Sequence, residues 1–402
     1  MPHLFNNLLK NTFLFLVFLN LSCNAQEKKE IIQKNHAISV GANQTEAYIP
    51  LIKHKNIAIV GNQTSVIFKE DAHIHLVDSL LKRDIRIKKV FAPEHGFRGK
   101  ADAGELVKDD LDQKTGLPIV SLYGQHKKPT SEDLADIDLI LFDIQDVGAR
   151  FYTYISSLHY MMEAAAENNI EVLVLDRPNP NGHYIDGPIL EEEYQSFVGM
   201  HPVPIVHGLT IGEYAQMING EKWLDKKIQA KLKVIKVKNY NREMQYCLPI
   251  KPSPNLPNDQ AINLYTSLCF FEGTNVNAGR GTKNQFQVFG SPFLNKEYFN
   301  YSYTPISNPG AKYPKHENKK CFGKNLIQHE KLSEINLEWL IEAYQHTDKQ
   351  DQFFNNFFNK LAGNNTLKEQ IKAGHSAEEI KASWQENLQA YREMRAEYLL
   401  YD

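Results

Sequence analysis

The sequence predicts an α/β chain, in which a Rossmann-like domain built on a parallel sheet is followed by a second, smaller α+β domain. Three observations carry this. From Asn56 onward, short apolar runs alternate with stretches of helical periodicity, the pattern of βαβ units. Three of those runs end in acidic side chains, which a parallel sheet would gather along its carboxyl edge. From residue 183 the pattern turns mixed and turn-rich, and helical periodicity returns only after Leu332.

Residues 26–50 are polar and read as a leader. The first strand, 56–60, ends at the turn-prone Gly61-Asn62-Gln63-Thr64, and a helix is expected over 72–82 with Ile74, Val77, Leu80 and Leu81 on its inner face. A strand at 87–91 runs into Phe91-Ala92-Pro93-Glu94-His95-Gly96-Phe97-Arg98-Gly99, and a loop around Ala101-Asp102-Ala103-Gly104-Glu105 follows. Residues 117–123 form a strand ending at Gly124. The run Ile137-Asp138-Leu139-Ile140-Leu141-Phe142 suits a strand covered on both faces, and it leads into Asp143-Ile144-Gln145-Asp146-Val147-Gly148-Ala149-Arg150. A helix over 152–168 and a strand over 170–175 deliver Asp176-Arg177-Pro178-Asn179-Pro180-Asn181-Gly182, where Pro and Asn end regular structure.

Beyond that point a helix capped by Thr210 is expected over 211–219, with strands over 232–237 and 267–271 and an extended segment at Pro252-Ser253-Pro254-Asn255-Leu256-Pro257. The last helix carries Ile380, Trp384, Leu388, Tyr391, Met394 and Tyr398 on one stripe, a packing face. The expected division is a signal peptide at 1–25, a Rossmann-like domain at 26–183 and a second α+β domain at 184–402 that completes a cleft.

The composition excludes several classes. The 402 residues are 42% hydrophobic and 23% charged with net charge -3, so neither disorder nor a basic nucleic-acid footprint is indicated. Lys10 precedes the apolar run 13–21, too short for a stable membrane span, and Ser22-Cys23-Asn24-Ala25 offers small residues for cleavage. The protein is therefore expected to be exported: periplasmic, secreted, or anchored through lipid on Cys23 if cleavage falls before that residue instead of after Ala25. Cys247, Cys269 and Cys321 are too few and too widely spaced for a disulfide framework or a zinc site. His95, His201 and His207 lack close ligand spacing, so no metal is expected. The loop Gly61-Asn62-Gln63-Thr64-Ser65-Val66 lacks the glycines that admit a pyrophosphate, so no cofactor is expected either.

Glu94, the Asp143/Asp146 pair and Asp176 stand at three strand ends and would converge in a parallel sheet. Strand-end acids also cap helices, and Asp176 beside Arg177 suggests an internal ion pair. Glu94 differs in its setting. Pro93 stiffens its approach, Gly96 and Gly99 let the backbone fold tightly, and a carboxyl group partly desolvated there would be pushed towards the neutral form a general acid needs. Arg98, Arg150 and Arg280 are candidates to bind a substrate carboxylate, since guanidinium forks suit that group, or to pair with the acids above. Asn275 and Arg280 lie in Glu272-Gly273-Thr274-Asn275-Val276-Asn277-Ala278-Gly279-Arg280-Gly281-Thr282, a polar loop suited to closing over a ligand.

Four of these stretches together resemble the exo-β-N-acetylmuramidase family of the NamZ type, long described as a domain of unknown function: Phe91 to Gly99, Phe142-Asp143-Ile144-Gln145-Asp146-Val147-Gly148-Ala149-Arg150-Phe151-Tyr152-Thr153-Tyr154, Leu175 to Gly182, and Glu272-Gly273-Thr274-Asn275. The resemblance spans nearly all of the chain after the signal peptide. It implies a glycosidase of the cell envelope that releases N-acetylmuramic acid from non-reducing ends of peptidoglycan-derived muropeptides or disaccharides, with a Rossmann-like domain beside a smaller one. It also implies Glu94 as catalytic acid. The mechanism expected from the residues has Asp143 or Asp146 assisting from the other side, with His95, Arg98, Arg150, Tyr152, Asp176, Asn275 and Arg280 around the substrate. Two readings of other classes stand beside it: a non-catalytic muropeptide-binding lipoprotein and a Rossmann-type oxidoreductase.

Overall fold

The computed structural model describes residues 38–70, 72–98 and 110–402. The expected signal peptide, Cys23, Gly99 and the loop at 101–105 lie outside the described residues. In chain order the elements are α1 (Thr45–Ile52), β1 (Ile57–Gly61), β2 (Val66–Phe68), β3 (His73–His75), α2 (Leu76–Leu81), β4 (Ile87–Ala92), β5 (Asp110–Leu111), β6 (Pro118–Ser121), β7 (Leu139–Asp143), α3 (Tyr154–Glu167), β8 (Glu171–Leu175), α4 (Ile211–Gly220), β9 (Lys231–Ile235) and α5 (Asp259–Leu268). The remainder comprises β10 (Val288–Ser291), β11 (Tyr301–Tyr303), β12 (Cys321–Asn325), α6 (Glu338–Gln345), α7 (Phe358–Ala362), α8 (Thr366–Lys372), α9 (Ala377–Ala382) and α10 (Gln385–Ala396).

A seven-stranded sheet has the order β5-β6-β4-β1-β7-β8-β9, parallel throughout except for the edge strand β5. The chain leaves β1 first towards β4 and β6, then returns to its other side for β7, β8 and β9. Such a reversal opens a crevice past the carboxyl ends of the central strands. A smaller antiparallel sheet, β10-β12-β11, lies in the C-terminal region.

The apolar runs are continuous because both faces of the large sheet are covered. Leu139 and Leu141 of β7 pack with Ile57, Ile59, Leu173 and the α1 residues Tyr48 and Ile52. Ile140 and Phe142, which point the other way, pack with Val172, Val174, Leu158 of α3 and Tyr214 of α4. That second cluster runs on through Phe270, Phe289, Phe353 and Leu388, so the C-terminal region is built directly onto one face of the sheet.

Several expectations are corrected. The large sheet extends past residue 183, because β9 pairs in parallel with β8 and α4 is the crossover between them. Thr210 and Glu213 form the capping box that starts α4, with reciprocal bonds of 3.2 and 2.9 Å. Residues 38–52 belong to the fold, with Tyr48 and Ile52 fully buried. The helix expected from residue 72 begins only at Leu76, since His73–His75 pairs with Val66–Phe68. The strand expected over 267–271 is instead the end of α5 and a 3-10 turn, Cys269–Gly273. Asn258 caps that helix by accepting the Ala261 N–H at 2.9 Å, and its last turn is apolar because it is buried all round, which periodicity alone does not separate from a strand. The last helix is broken at Ser383 and Trp384 into α9 and α10, while Ile380, Trp384, Leu388 and Tyr391 are buried as a packing stripe requires. Among the described residues no helix is long and apolar enough to cross a membrane.

Candidate active site

Past the carboxyl end of β4 a cavity of about 600 Å³ opens, walled on one side by Glu94, His95, Tyr123 and Tyr152 and on the other by Tyr265, Glu272, Arg280 and Phe357. Its two sides thus come from the sheet domain and from the C-terminal region. Aromatic rings dominate: Tyr265 meets Phe151, Tyr152 and Phe286 edge-on at centroid distances of 5.2, 5.9 and 4.9 Å. Such a wall offers flat apolar faces with hydroxyl rims, suited to a ring that carries both C–H and O–H groups.

Glu94 reaches the cavity through a tight turn. Gly96 N–H donates to the Pro93 carbonyl at 3.0 Å, which leaves Glu94 and His95 at the two central positions. His95 has φ of 69° and Gly96 of 74°; the left-handed backbone is ordinary for Gly96 but strained for His95, and the turn they form presents Glu94 at the cavity wall. Thr153 stands at the start of α3, where a Thr hydroxyl usually caps a backbone N–H. Here it makes no cap and donates to Glu94 Oε2 at 2.8 Å. Tyr123 also hydrogen-bonds Glu94, and burial together with that carboxylate pushes its phenol upward. Because each hydroxyl can donate or accept, the pair can hold Glu94 in either protonation state.

The structure separates the other predicted residues into two groups. His95, Tyr152 and Arg280 line the cavity with Glu94. Asp143, Asp146, Asp176, Arg98, Arg150 and Asn275 do not. Asp143 is fully buried and takes both arms of Arg177, Nε to Oδ1 at 2.6 Å and Nη2 to Oδ2 at 3.0 Å. Asp146 is buried, accepts the Gly148 N–H at 2.7 Å and lies 3.7 Å from His207 Nε2. Asp176 makes no side-chain pair with Arg177; it accepts from Tyr401 at 2.6 Å and from Thr210 and the Gly212 N–H at 2.8 Å each. Burial in that apolar setting lifts its carboxyl to about 6.

The arginines are likewise structural except for Arg280. Arg98 forks onto Asp112 at 2.7 and 3.2 Å, with Asp78 at 3.6 Å, and lies over the Phe97 ring. Arg150 is fully buried and donates to four backbone carbonyls, those of Pro188, Val203, Leu361 and Ala362, at 2.7 to 3.0 Å. It joins the excursion after β8 to α7. Asn275 accepts through its carbonyl from the His316 ring at 2.6 Å and stays off the cavity. Among the described residues no three His, Cys, Asp or Glu side chains gather as a metal site would require. His201 faces His159 at 2.8 Å, and burial pushes it well below the usual histidine range. Cys247, Cys269 and Cys321 form no disulfide with one another, and Cys269 and Cys321 are buried.

Sequence reasoning missed Tyr123 and Tyr265, which carry no motif of their own, and Thr153 and Glu272, which lie within quoted motifs but are not singled out there. Glu272 is 27% exposed, lines the cavity and lies 3.6 Å from Arg280 Nη1. Its loop is clamped from below by Lys315, whose ammonium donates to the carbonyls of Phe271, Thr274 and Val276 at 2.8, 2.6 and 2.9 Å. Reading 267–271 as a strand hides this, since the 3-10 turn is what carries Glu272 round to the cavity.

Two family models match the chain, exo-beta-N-acetylmuramidase NamZ N-terminal over residues 57–260 and C-terminal over 263–401. The chain is 39% identical over 374 residues to a peptidoglycan beta-N-acetylmuramidase NamZ of Bacillus subtilis (strain 168), covering 88% of this chain and 89% of that one. Two crystal structures of DUF1343 family proteins from Bacteroides fragilis NCTC 9343 have the same fold. One is 46% identical with a TM-score of 0.82, the other 30% identical with a TM-score of 0.75, and each match covers 91% of this chain and 99% of its own.

Proposed function

The chain belongs to the NamZ family of exo-β-N-acetylmuramidases, and from that premise we propose that it is an exo-acting glycoside hydrolase that frees N-acetylmuramic acid from the non-reducing ends of peptidoglycan fragments, with Glu94 as the general acid. The observation that carries the reading is the setting of Glu94: an acid in a strained turn at the carboxyl edge of the sheet, bonded to Thr153 and Tyr123, on the wall of an aromatic cavity. Proton donation to the glycosidic oxygen would offset the charge that develops there as an oxocarbenium-like transition state forms. The sugar carries a lactyl carboxylate, and Arg280 is the arginine that faces the cavity. We further propose that the protein acts outside the cytoplasm, on the strength of the signal-peptide pattern in residues 1–25.

The test is hydrolysis of a chromogenic β-N-acetylmuraminide set against the corresponding N-acetylglucosaminide. Wild type should release chromophore from the first, and Glu94→Gln should keep the fold and bind muropeptide while losing turnover of an unactivated muramyl disaccharide. Near-normal release of muramic acid from that disaccharide by Glu94→Gln would sink the assignment.

A further inference from the structure

The acid that acts with Glu94 has to reach the cavity, and among the described residues the lining holds two carboxylates, Glu94 and Glu272. They approach from opposite halves of the molecule. Both are close enough to Tyr265 that each carboxylate disfavours ionisation of its phenol, which places one ring within electrostatic range of the pair. Asp143 and Asp146 lack this access, since Arg177 and the Gly148 N–H hold them inside the fold.

Glu272 also has a restraint that can be exchanged. Its contact with Arg280 is long at 3.6 Å, and both side chains are about a quarter exposed, at 27% and 24%. Arg280 has five N–H donors, and apart from Glu272 its guanidinium contacts the Gly310 carbonyl at 3.3 Å. The loop backbone is fixed by Lys315 beneath it, so the side chain of Glu272 can move without the loop. The charged and titratable groups facing Glu272 are Arg280, Lys315, Tyr265 and Cys269. Those facing Glu94 are Tyr123, Tyr154 and Tyr265, with His95 next in the chain.

We propose that Glu272 is the second catalytic carboxylate and that Arg280 is a selector, leaving Glu272 for the lactyl carboxylate of the bound sugar. This rests on the muramidase reading above. A guanidinium fork binds a carboxylate in two parallel bonds, which the 3.6 Å contact with Glu272 does not supply. Substrate binding therefore frees Glu272 to work. As the bond between C1 and the glycosidic oxygen breaks, the electron pair leaves with that oxygen and Glu94 gives it a proton. A water oxygen bonds to C1 and passes its proton to Glu272. The products are N-acetylmuramic acid and a glycan one sugar shorter, and solvent returns both carboxyl groups to their starting states. A sugar without the lactyl group leaves Arg280 on Glu272, so discrimination should appear in kcat as well as in KM.

The experiment compares wild type, Glu272→Gln, Arg280→Gln and Glu94→Gln on 4-nitrophenyl β-N-acetylmuraminide, its N-acetylglucosaminide counterpart and an unactivated muramyl disaccharide, with a melting curve for each variant. Glu272→Gln should lose about a hundredfold or more in kcat/KM on both muramyl substrates and should flatten the acid limb of the pH–rate profile. Glu94→Gln should lose far more on the disaccharide than on the nitrophenyl substrate, whose leaving group needs little protonation, and should flatten the alkaline limb instead. Arg280→Gln should cut the preference for the muramyl over the glucosaminyl substrate at least about tenfold, chiefly through the muramyl rate. The inference is overturned if Glu272→Gln keeps activity within about threefold or retains its acid limb. An unchanged preference in Arg280→Gln also overturns it; that ratio, taken within one variant, decides even where Glu272→Gln melts out. A wild-type chain inactive on every substrate takes down the muramidase reading and this inference together, whereas an active wild type with an unaffected Glu272→Gln takes down the inference alone.

Discussion

Replacing Asp143 by Ala should cost about 3–5 kcal/mol of stability, because it strands a charged guanidinium in the core. The magnitude follows from the surroundings of Arg177. Its side chain is 1% exposed and that of Asp143 is 0%, so no water can take over the lost contacts. Two of its donors reach Asp143, at 2.6 and 3.0 Å, and a third reaches the Val66 carbonyl at 3.0 Å. The pairing also keeps Arg177 more firmly protonated than a free arginine. Set against a total stability of about 5–15 kcal/mol, such a loss would move a denaturation midpoint by a large fraction of its value. Equilibrium unfolding in guanidinium chloride at neutral pH measures it by linear extrapolation. Asp143→Leu combined with Arg177→Met should recover most of the loss, since apolar replacement of a whole buried pair is often neutral or better. An Asp143→Ala variant with the wild-type midpoint and no turnover would refute the reasoning and return Asp143 to the chemistry.

Three further outcomes are expected. Burial lifts the Asp176 carboxyl from 3.8 to about 6, so the folded protein keeps a proton that the unfolded chain releases. Stability should then decline as pH rises from about 4 to 6, by roughly 3 kcal/mol, and level off above. Denaturation of Asp176→Asn across that window should lack the slope, and matching slopes would count against it. Arg150→Met takes a donor from four buried carbonyls, of which Val203 keeps the Leu190 N–H at 3.2 Å and the other three lose their side-chain donor at about 1–3 kcal/mol each, so the variant should melt far below wild type or fail to accumulate. Thr153→Val removes the hydroxyl on Glu94 while keeping shape; kcat should fall about tenfold with melting nearly unchanged, and Thr153→Ser should retain most of the rate.

The strands of the large sheet are legible because two-sided burial demands unbroken apolar runs of the right length. The runs at β1, β4, β7 and β8 stand in the sequence with their loops marked by Gly, Pro or acid. Membership of a sheet is less visible. Lys231-Leu232-Lys233-Val234-Ile235 alternates as a strand should, but nothing in those five residues says that their partner is β8, reached through a crossover helix. The site is legible where an unusual backbone accompanies the side chain. Glu94 qualifies, since Pro93 and Gly96 announce its turn. Asp143, Asp176 and Arg150 have the same residue types at equally prominent places, yet each points into the fold. Sequence position at a strand end fixes which edge a residue occupies and leaves open whether its side chain faces solvent or a buried partner.

The buried cations have a common logic that bears on how the site should be dissected. Loops and helix ends packed into an interior carry carbonyls with no N–H partner, and each unpaired one is costly. One Arg or Lys can satisfy several at once. Lys315 meets three carbonyls on either side of Glu272, and Arg150 meets four, among them that of Leu361 in the cavity wall, while Arg98 holds the Glu94 loop through Asp112. The segments that carry Glu94 and Glu272 are therefore braced by cations outside the cavity lining. A screen of activity alone would score Arg98, Arg150 and Lys315 as catalytic, since misplacing an acid by about 1 Å can cost a hundredfold in rate. Stability separates the two kinds of residue: a frame cation loses melting temperature and rate together, whereas Glu94 and Glu272, partly exposed at the wall, should lose rate with little change in melting.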